Sequence, residues 1–150
     1  MNQQSTKLGL LVGRIIAGLF YLHAGIDNLA HLSDKVDYAA LKGAPLPWLT
    51  VTVASLLLII GGASILTGYK PIVGITAIIL FLLPVTFYMH DFWAVADPQM
   101  RVEEVRSFLS NMGLTGSTLI FLAIPRPWPW SLEALASAAD HDTTLPETVL

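Results

Sequence analysis

Four apolar runs, each near the length a helix needs to cross a bilayer, constrain this chain more than any motif in it. A hydrocarbon core of about 30 Å takes about 20 helical residues. Runs of that kind lie at Leu8 to Ala30, Pro47 to Gly68, Pro71 to His90 and Val105 to Ile124. The second and third have almost no polar face, so a soluble helix hairpin would leave them without a solvated side. With 54% hydrophobic residues, 13% charged residues and a mean hydropathy of +0.64, the chain is far more apolar than a soluble domain. It reads as an all-α polytopic membrane protein. The expected architecture is an antiparallel four-helix transmembrane bundle over residues 1–124, followed by an interfacial segment and tail over 125–150.

A formal net charge of -3 with no basic stripe gives no electrostatic footprint for nucleic acid. The absence of cysteine excludes disulfides, thiolate zinc sites, CxxC redox chemistry and c-type haem attachment within this chain. No covalent cofactor and no metal are expected. A redox role therefore requires a bound cofactor such as a quinone, or a partner.

Pro47 and Pro71 stand where a first helical turn tolerates a missing N–H, and Gly68 ahead of Tyr69-Lys70-Pro71 marks a tight turn, so the second and third runs form a hairpin. His31 to Leu46 and Asp91 to Glu104 read as polar loops on one side of the membrane. The first carries Asp34, Lys35, Asp37 and Lys42, and the second has the turn signal Asp97-Pro98. Pro125-Arg126-Pro127-Trp128-Pro129-Trp130 reads as an interfacial anchor, Ser131 as the cap of a short helix through Ala138, and Ala139 to Leu150 as a mobile tail. No convincing cleavage site follows the first run, which reads as an uncleaved signal anchor. Basic residues are nearly balanced across the membrane, with Lys7, Arg14, Lys70 and Arg126 on the side of the termini and Lys35, Lys42, Arg101 and Arg106 opposite. With acids crowding the loop side, both termini are expected in the cytoplasm.

Polar residues inside the runs are the candidate chemistry. On the first helix Arg14, Gly18, Tyr21, Gly25 and Asn28 share a face, the expected bundle contact. Arg14 lies about 9 Å along the helix from Leu8. It either snorkels to the interface or turns inward onto carbonyls around Gly61-Gly62 or Ser64, where it would anchor an anionic headgroup or a quinone oxygen. His23 and Asp27 are spaced to hydrogen-bond along one helix face. His90 and Asp91 end the third run; adjacent residues on a regular helix point in different directions, so they are not a ready-made dyad.

His23, Asp27, Asn28, His90 and Trp93 all fall in the half of the bilayer nearer the loops, joined by Asn111 about two turns into the fourth helix. The expected ligand site is this polar end of the bundle, contacted by His90, Asn111, Trp93 and Asn28, with Arg14 as a further anchor. His23, Asp27 and Asp91 are the candidate proton relay. Pro84 should kink the third helix below it and open space inside the bundle. The plainer alternative makes Trp93 a belt tryptophan, His90 an interfacial histidine and the glycines packing residues.

An arginine with spaced glycines in the first helix and Gly43-Ala44-Pro45-Leu46-Pro47 before the second are followed by Gly61-Gly62 with Leu66 and Gly68. His90-Asp91-Phe92-Trp93, Phe108-Leu109-Ser110-Asn111 and Gly113 to Gly116 complete an ordered set. Together they resemble the DoxX family of small four-helix membrane proteins, from Leu8 to Ile124. The resemblance implies kinship with the small membrane subunits of thiosulfate:quinone oxidoreductases and with membrane redox or oxidative-stress complexes. Two departures stand out. Asn28 occupies a place where many relatives carry lysine, and Ser55 to Ile60 holds no acid ahead of the paired glycines, which removes the obvious ionic partner of Arg14.

Two functions follow. One is a membrane subunit of a quinone-linked redox or oxidative-stress assembly, working with a protein partner or as a homo-oligomer and lacking a stand-alone catalytic constellation. The other is a non-catalytic membrane scaffold or lipid-binding protein. A solute or proton carrier fits least, since no pair of broken helices meets at the midplane.

Overall fold

Backbone polar groups buried in lipid have only each other to bond, which drives apolar runs into helices. The computed structural model describes the backbone of residues 2–143 and the side chains of residues 2–139. Its helices are α1 (Gln3–Ala30), α2 (Leu32–Leu41), α3 (Pro47–Thr67), α4 (Pro71–Met89), α5 (Pro98–Ile120) and α6 (Leu132–Thr143), with a 3₁₀ turn over Phe121–Ala123. Three of these, α1, α3 and α4, are long and apolar enough to cross a membrane. α5 has the length of a span, 23 residues, but Arg101, Glu103, Glu104 and Arg106 occupy its first turns.

Caps explain where the helices outrun the apolar runs. Asn2 accepts from the Gln4 and Ser5 N–H groups and starts α1 ahead of Leu8, while Asp97 accepts from Met100 N–H and starts α5 at Pro98. The α3–α4 turn is as tight as expected: Gly68 takes a φ of 64° and Lys70 a φ of 47°. Ser64 Oγ donates to the carbonyls of Tyr69 and Lys70 at 2.8 and 3.0 Å.

The stretch from His31 to Leu46, expected as a loop, contains α2. Its charges hid a helical spacing: Leu32, Val36 and Ala39 fall on one side and pack with Ala44 and Val51, whereas Asp34 and Asp37 stay exposed. α3 is the centre of the molecule, packed against α1, α2 and α4, and α4 in turn carries α5.

Adjacent glycines on α3 serve two different neighbours, because successive residues lie about 100° apart around a helix. A Cβ on Gly62 would sit 2.5 Å from Leu22 N and 2.8 Å from the Gly18 carbonyl on α1. One on Gly61 would clash with Ile78 Cγ1 and sit 3.1 Å from the Gly74 carbonyl on α4. The α1 face foreseen from Arg14, Gly18, Tyr21 and Gly25 is the buried one. Tyr21 also reaches across to α5, its hydroxyl 2.8 Å from Thr118 Oγ1.

The expected interfacial anchor is only partly so. Trp130 is exposed, but Trp128 is buried in the main core with Tyr21, Leu58, Ile65 and Ile78, its ring 5.4 Å from that of Phe121. The proline-rich segment thus packs against the core, and Ser131 after it lies beside Gly68 at the end of α3. Ser131 caps α6 as expected, its Oγ accepting from Ala134 N–H at 3.0 Å. α6 continues to Thr143, past the expected end at Ala138, and residues 144–150 of the expected tail lie outside the described residues.

Candidate functional site

Where α4 ends, its last polar residues leave the helix. His90 has a φ of -118°, so the regular rotation between neighbours breaks and His90 and Asp91 reach a common cluster. Lys42 Nζ lies 2.9 Å from Glu104 Oε1 and 3.3 Å from Asp91 Oδ1, and His90 Nδ1 lies 2.8 Å from Glu104 Oε2. The Glu104 and Lys42 side chains are only 17% and 21% exposed, so the cluster is largely shielded from water. The Tyr88 hydroxyl donates to the Gly43 carbonyl at 2.6 Å and ties the α2–α3 connection to α4. The connections after α2 and after α4 therefore meet.

Burial alone would raise the Glu104 carboxyl, but hydrogen bonds from His90 and Lys42 outweigh it and hold the group below its ordinary value. Burial likewise pulls the Lys42 ammonium down, and its bonds to Glu104 and Asp91 more than offset that, leaving it raised. A carboxylate can only accept, so the His90 nitrogen facing Glu104 carries a proton and the other ring nitrogen is left for another partner.

His90 also borders a groove of about 680 Å³ that runs between α2, α3 and α4. Its walls are apolar, with Leu49, Val53, Ala54 and Leu57 from α3 facing Leu80, Phe81, Pro84 and Val85 from α4. Asn28, Lys35, Tyr38 and His90 supply the polar end. Pro84 has no N–H for the Leu80 carbonyl, and both residues line the groove, so the break in the helix ladder lies in its wall. The volume is that of a small-molecule site.

The expected site residues divide. Asn28 and His90 share the groove; Asn111 and Trp93 are not among its lining residues. Trp93 is exposed and packs edge-on against Phe92 and Phe108, with ring centroids 5.1 and 6.2 Å away. Asn111 is half-buried on α5, its carbonyl accepting from Thr115. The groove therefore lies on the α2 side of His90.

The expected His23–Asp27 bond is also replaced. His23 is exposed, and Asp27 pairs with His31 at 3.0 Å and Lys35 at 3.3 Å, because His31 stands at the same four-residue spacing at the helix rim. Arg14 turns inward rather than snorkelling, but onto the Trp130 carbonyl beside Gly68, not onto Gly61-Gly62 or Ser64. Lys35, Lys42 and Glu104 were missed because each read as a loop charge. Among the described residues no group of three or more His, Asp or Glu side chains is arranged to hold a metal ion.

The DoxX family model matches residues 9–91, more than half of the chain. The chain belongs to the DoxX family. The inner membrane protein YphA of Escherichia coli (strain K12) is 25% identical over 126 residues, which cover 83% of this chain and 87% of that protein. No solved structure matches. The DoxX match runs from α1 to the end of α4 and contains Asn28, Lys35, Lys42, His90 and Asp91, whereas Glu104 lies beyond it. The chain is a membrane protein.

Proposed function

We propose that this DoxX protein binds a membrane quinone in the α2–α3–α4 groove, as an accessory subunit of a redox or oxidative-stress assembly. The observation that carries the reading is the double placement of His90, which borders the groove and hydrogen-bonds Glu104. A quinone headgroup needs a donor at its carbonyl and, on reduction, a route for protons. With both ring nitrogens protonated, His90 donates to that carbonyl through Nε2 while its Nδ1–H stays on Glu104, and Glu104, Lys42 and Asp91 lead from it toward the surface, Asp91 being the most exposed of the four at 34%. Asn28 adds a donor, and Lys35, held by Asp27, adds a second. The apolar walls suit an isoprenoid tail.

Reduction of a quinone takes two electrons and two protons, and the His90 cluster is placed to supply the protons. The electrons come from a redox partner, which makes the chain a subunit rather than an enzyme by itself. In this account the fourth span is Val105 to Ile124, the bundle is antiparallel, and the groove's polar end faces away from the cytoplasm. Purification in mild detergent with extraction of the bound small molecules tests the reading, since a quinone should co-purify and should be lost from the His90→Ala protein.

A second reading is favoured by the walls themselves, which are apolar along most of the groove and would hold an acyl chain equally well. In that case the extract contains phospholipid and no quinone, and the protein is a lipid-binding scaffold.

A further inference from the structure

Away from the groove, at the bundle end closed by Trp128, Arg14 is 3% exposed. Its Nη2 donates to the Trp130 carbonyl, while Nε and Nη1 are buried with no hydrogen-bond partner among the described residues. No described carboxylate pairs with it, and Glu133, the acid of the closing segment, is bound by Arg126. A guanidinium has five donors, stays charged, and costs dearly when buried without a counter-charge. Among the described residues, then, the planar cationic fork has no counter-charge.

The N-terminus of α6 adjoins it. Arg14 Nη1 and Ser131 Cβ both crowd Gly68, 2.8 and 2.6 Å from where a Cβ on that glycine would lie. Ser131 Oγ satisfies the Ala134 N–H, but the N–H groups of Leu132 and Glu133 precede the first intrahelical acceptor, and the positive end of a 12-residue helix dipole points the same way. Trp130 itself has a φ of 52°, a conformation that bulky residues rarely adopt. Gly68 ends α3, so Arg14 sits at the level where an apolar span gives way to headgroups.

We infer that Arg14 and the α6 N-terminus form a second site, independent of the groove, that binds the phosphate of a phosphate ester or free phosphate, with the anion displacing the Trp130 carbonyl. The phosphate takes two N–H bonds from the fork, the geometry for which arginine is suited. A phospholipid headgroup and inorganic phosphate share this chemistry.

The full chain in mild detergent and phosphate-free buffer tests it in two arms: thermal melting with added inorganic phosphate, and native mass spectrometry with phosphatidylglycerol against diacylglycerol, which has no phosphate. Wild type should bind in at least one arm, phosphate alone marking a free-anion site and phosphatidylglycerol alone a lipid site. Ser131→Asp keeps an oxygen cap for α6 and places a carboxylate beside Arg14, so it should fold normally and bind about tenfold more weakly or worse in that arm; Arg14→Gln should lose binding to the same extent. If Arg14→Gln does not fold, Ser131→Asp decides alone. Binding by wild type in neither arm, or wild-type binding by Ser131→Asp, overturns the inference.

Discussion

His90 Nδ1 lies 2.8 Å from Glu104 Oε2, so the end of α4 is held against the second turn of α5 by one shielded hydrogen bond. Lys42 grips the other oxygen of the same carboxylate at 2.9 Å. One acid thus joins α5 to the connections after α2 and after α4.

That arrangement fixes a pH dependence. Glu104 is depressed below its ordinary value of 4.5, so its contribution to stability is present above pH 4.5 and is lost as pH falls through the lower folded value. Lys42 is raised above 10.5, so its contribution is present below pH 10.5 and is lost as pH rises through the higher folded value. From these two groups, melting in detergent should be level between these limits and decline beyond each. Glu104→Gln should flatten the acid limb, and an unchanged acid limb in that variant would show that the cluster carries no stability.

The glycine crossings predict a contrast between sites of identical chemistry. Gly62→Ala forces a methyl against Leu22 N and the Gly18 carbonyl, backbone atoms that cannot rotate away, and should destabilise by about 1–3 kcal/mol. Gly113→Ala meets nothing within 4 Å and should be neutral or stabilising by up to about 1 kcal/mol. Denaturant unfolding of the two variants in the same detergent compares them directly.

Pro84→Leu returns an N–H to the Leu80 carbonyl and closes the break in the α4 hydrogen-bond ladder in the groove wall. The variant should melt no lower than wild type yet hold less of the groove ligand. Unchanged ligand content would mean that the break at Pro84 does not shape the site.

Much of the scaffold was legible in the residues. Apolar length fixed α1, α3 and α4, and Gly68 with Pro71 fixed the turn between α3 and α4, because these signals are local. α2 was lost among its own charges, since ten residues give too few turns for an amphipathic face to stand out. The inward turn of Arg14 was undecided because both directions start at one depth, and what decides it, the Trp130 carbonyl, is 116 residues away. Lys42 and Glu104 are 62 residues apart, and no spacing rule joins them. Asn28 and His90 were placed together from depth and both line the groove, whereas Asn111 has a comparable estimated depth but does not; depth fixes height along the membrane normal and leaves the azimuth open.

From the charge balance and the acidic connections we propose that both termini lie in the cytoplasm. Single cysteines at Ser5 and Asp97 should label from the inside and the outside, respectively, when probed in intact cells with an impermeant reagent. Labelling of Ser5→Cys from outside inverts the assignment and turns the groove's polar end toward the cytoplasm.

The central claim is that the groove beside His90 holds a quinone. Its most direct test is the quinone content per polypeptide of wild-type and His90→Ala protein purified side by side from the same membranes. The account predicts bound quinone in the wild type and about tenfold less in His90→Ala, the loss expected for one hydrogen bond to the headgroup. Equal quinone in the two proteins, or none in either, would contradict it.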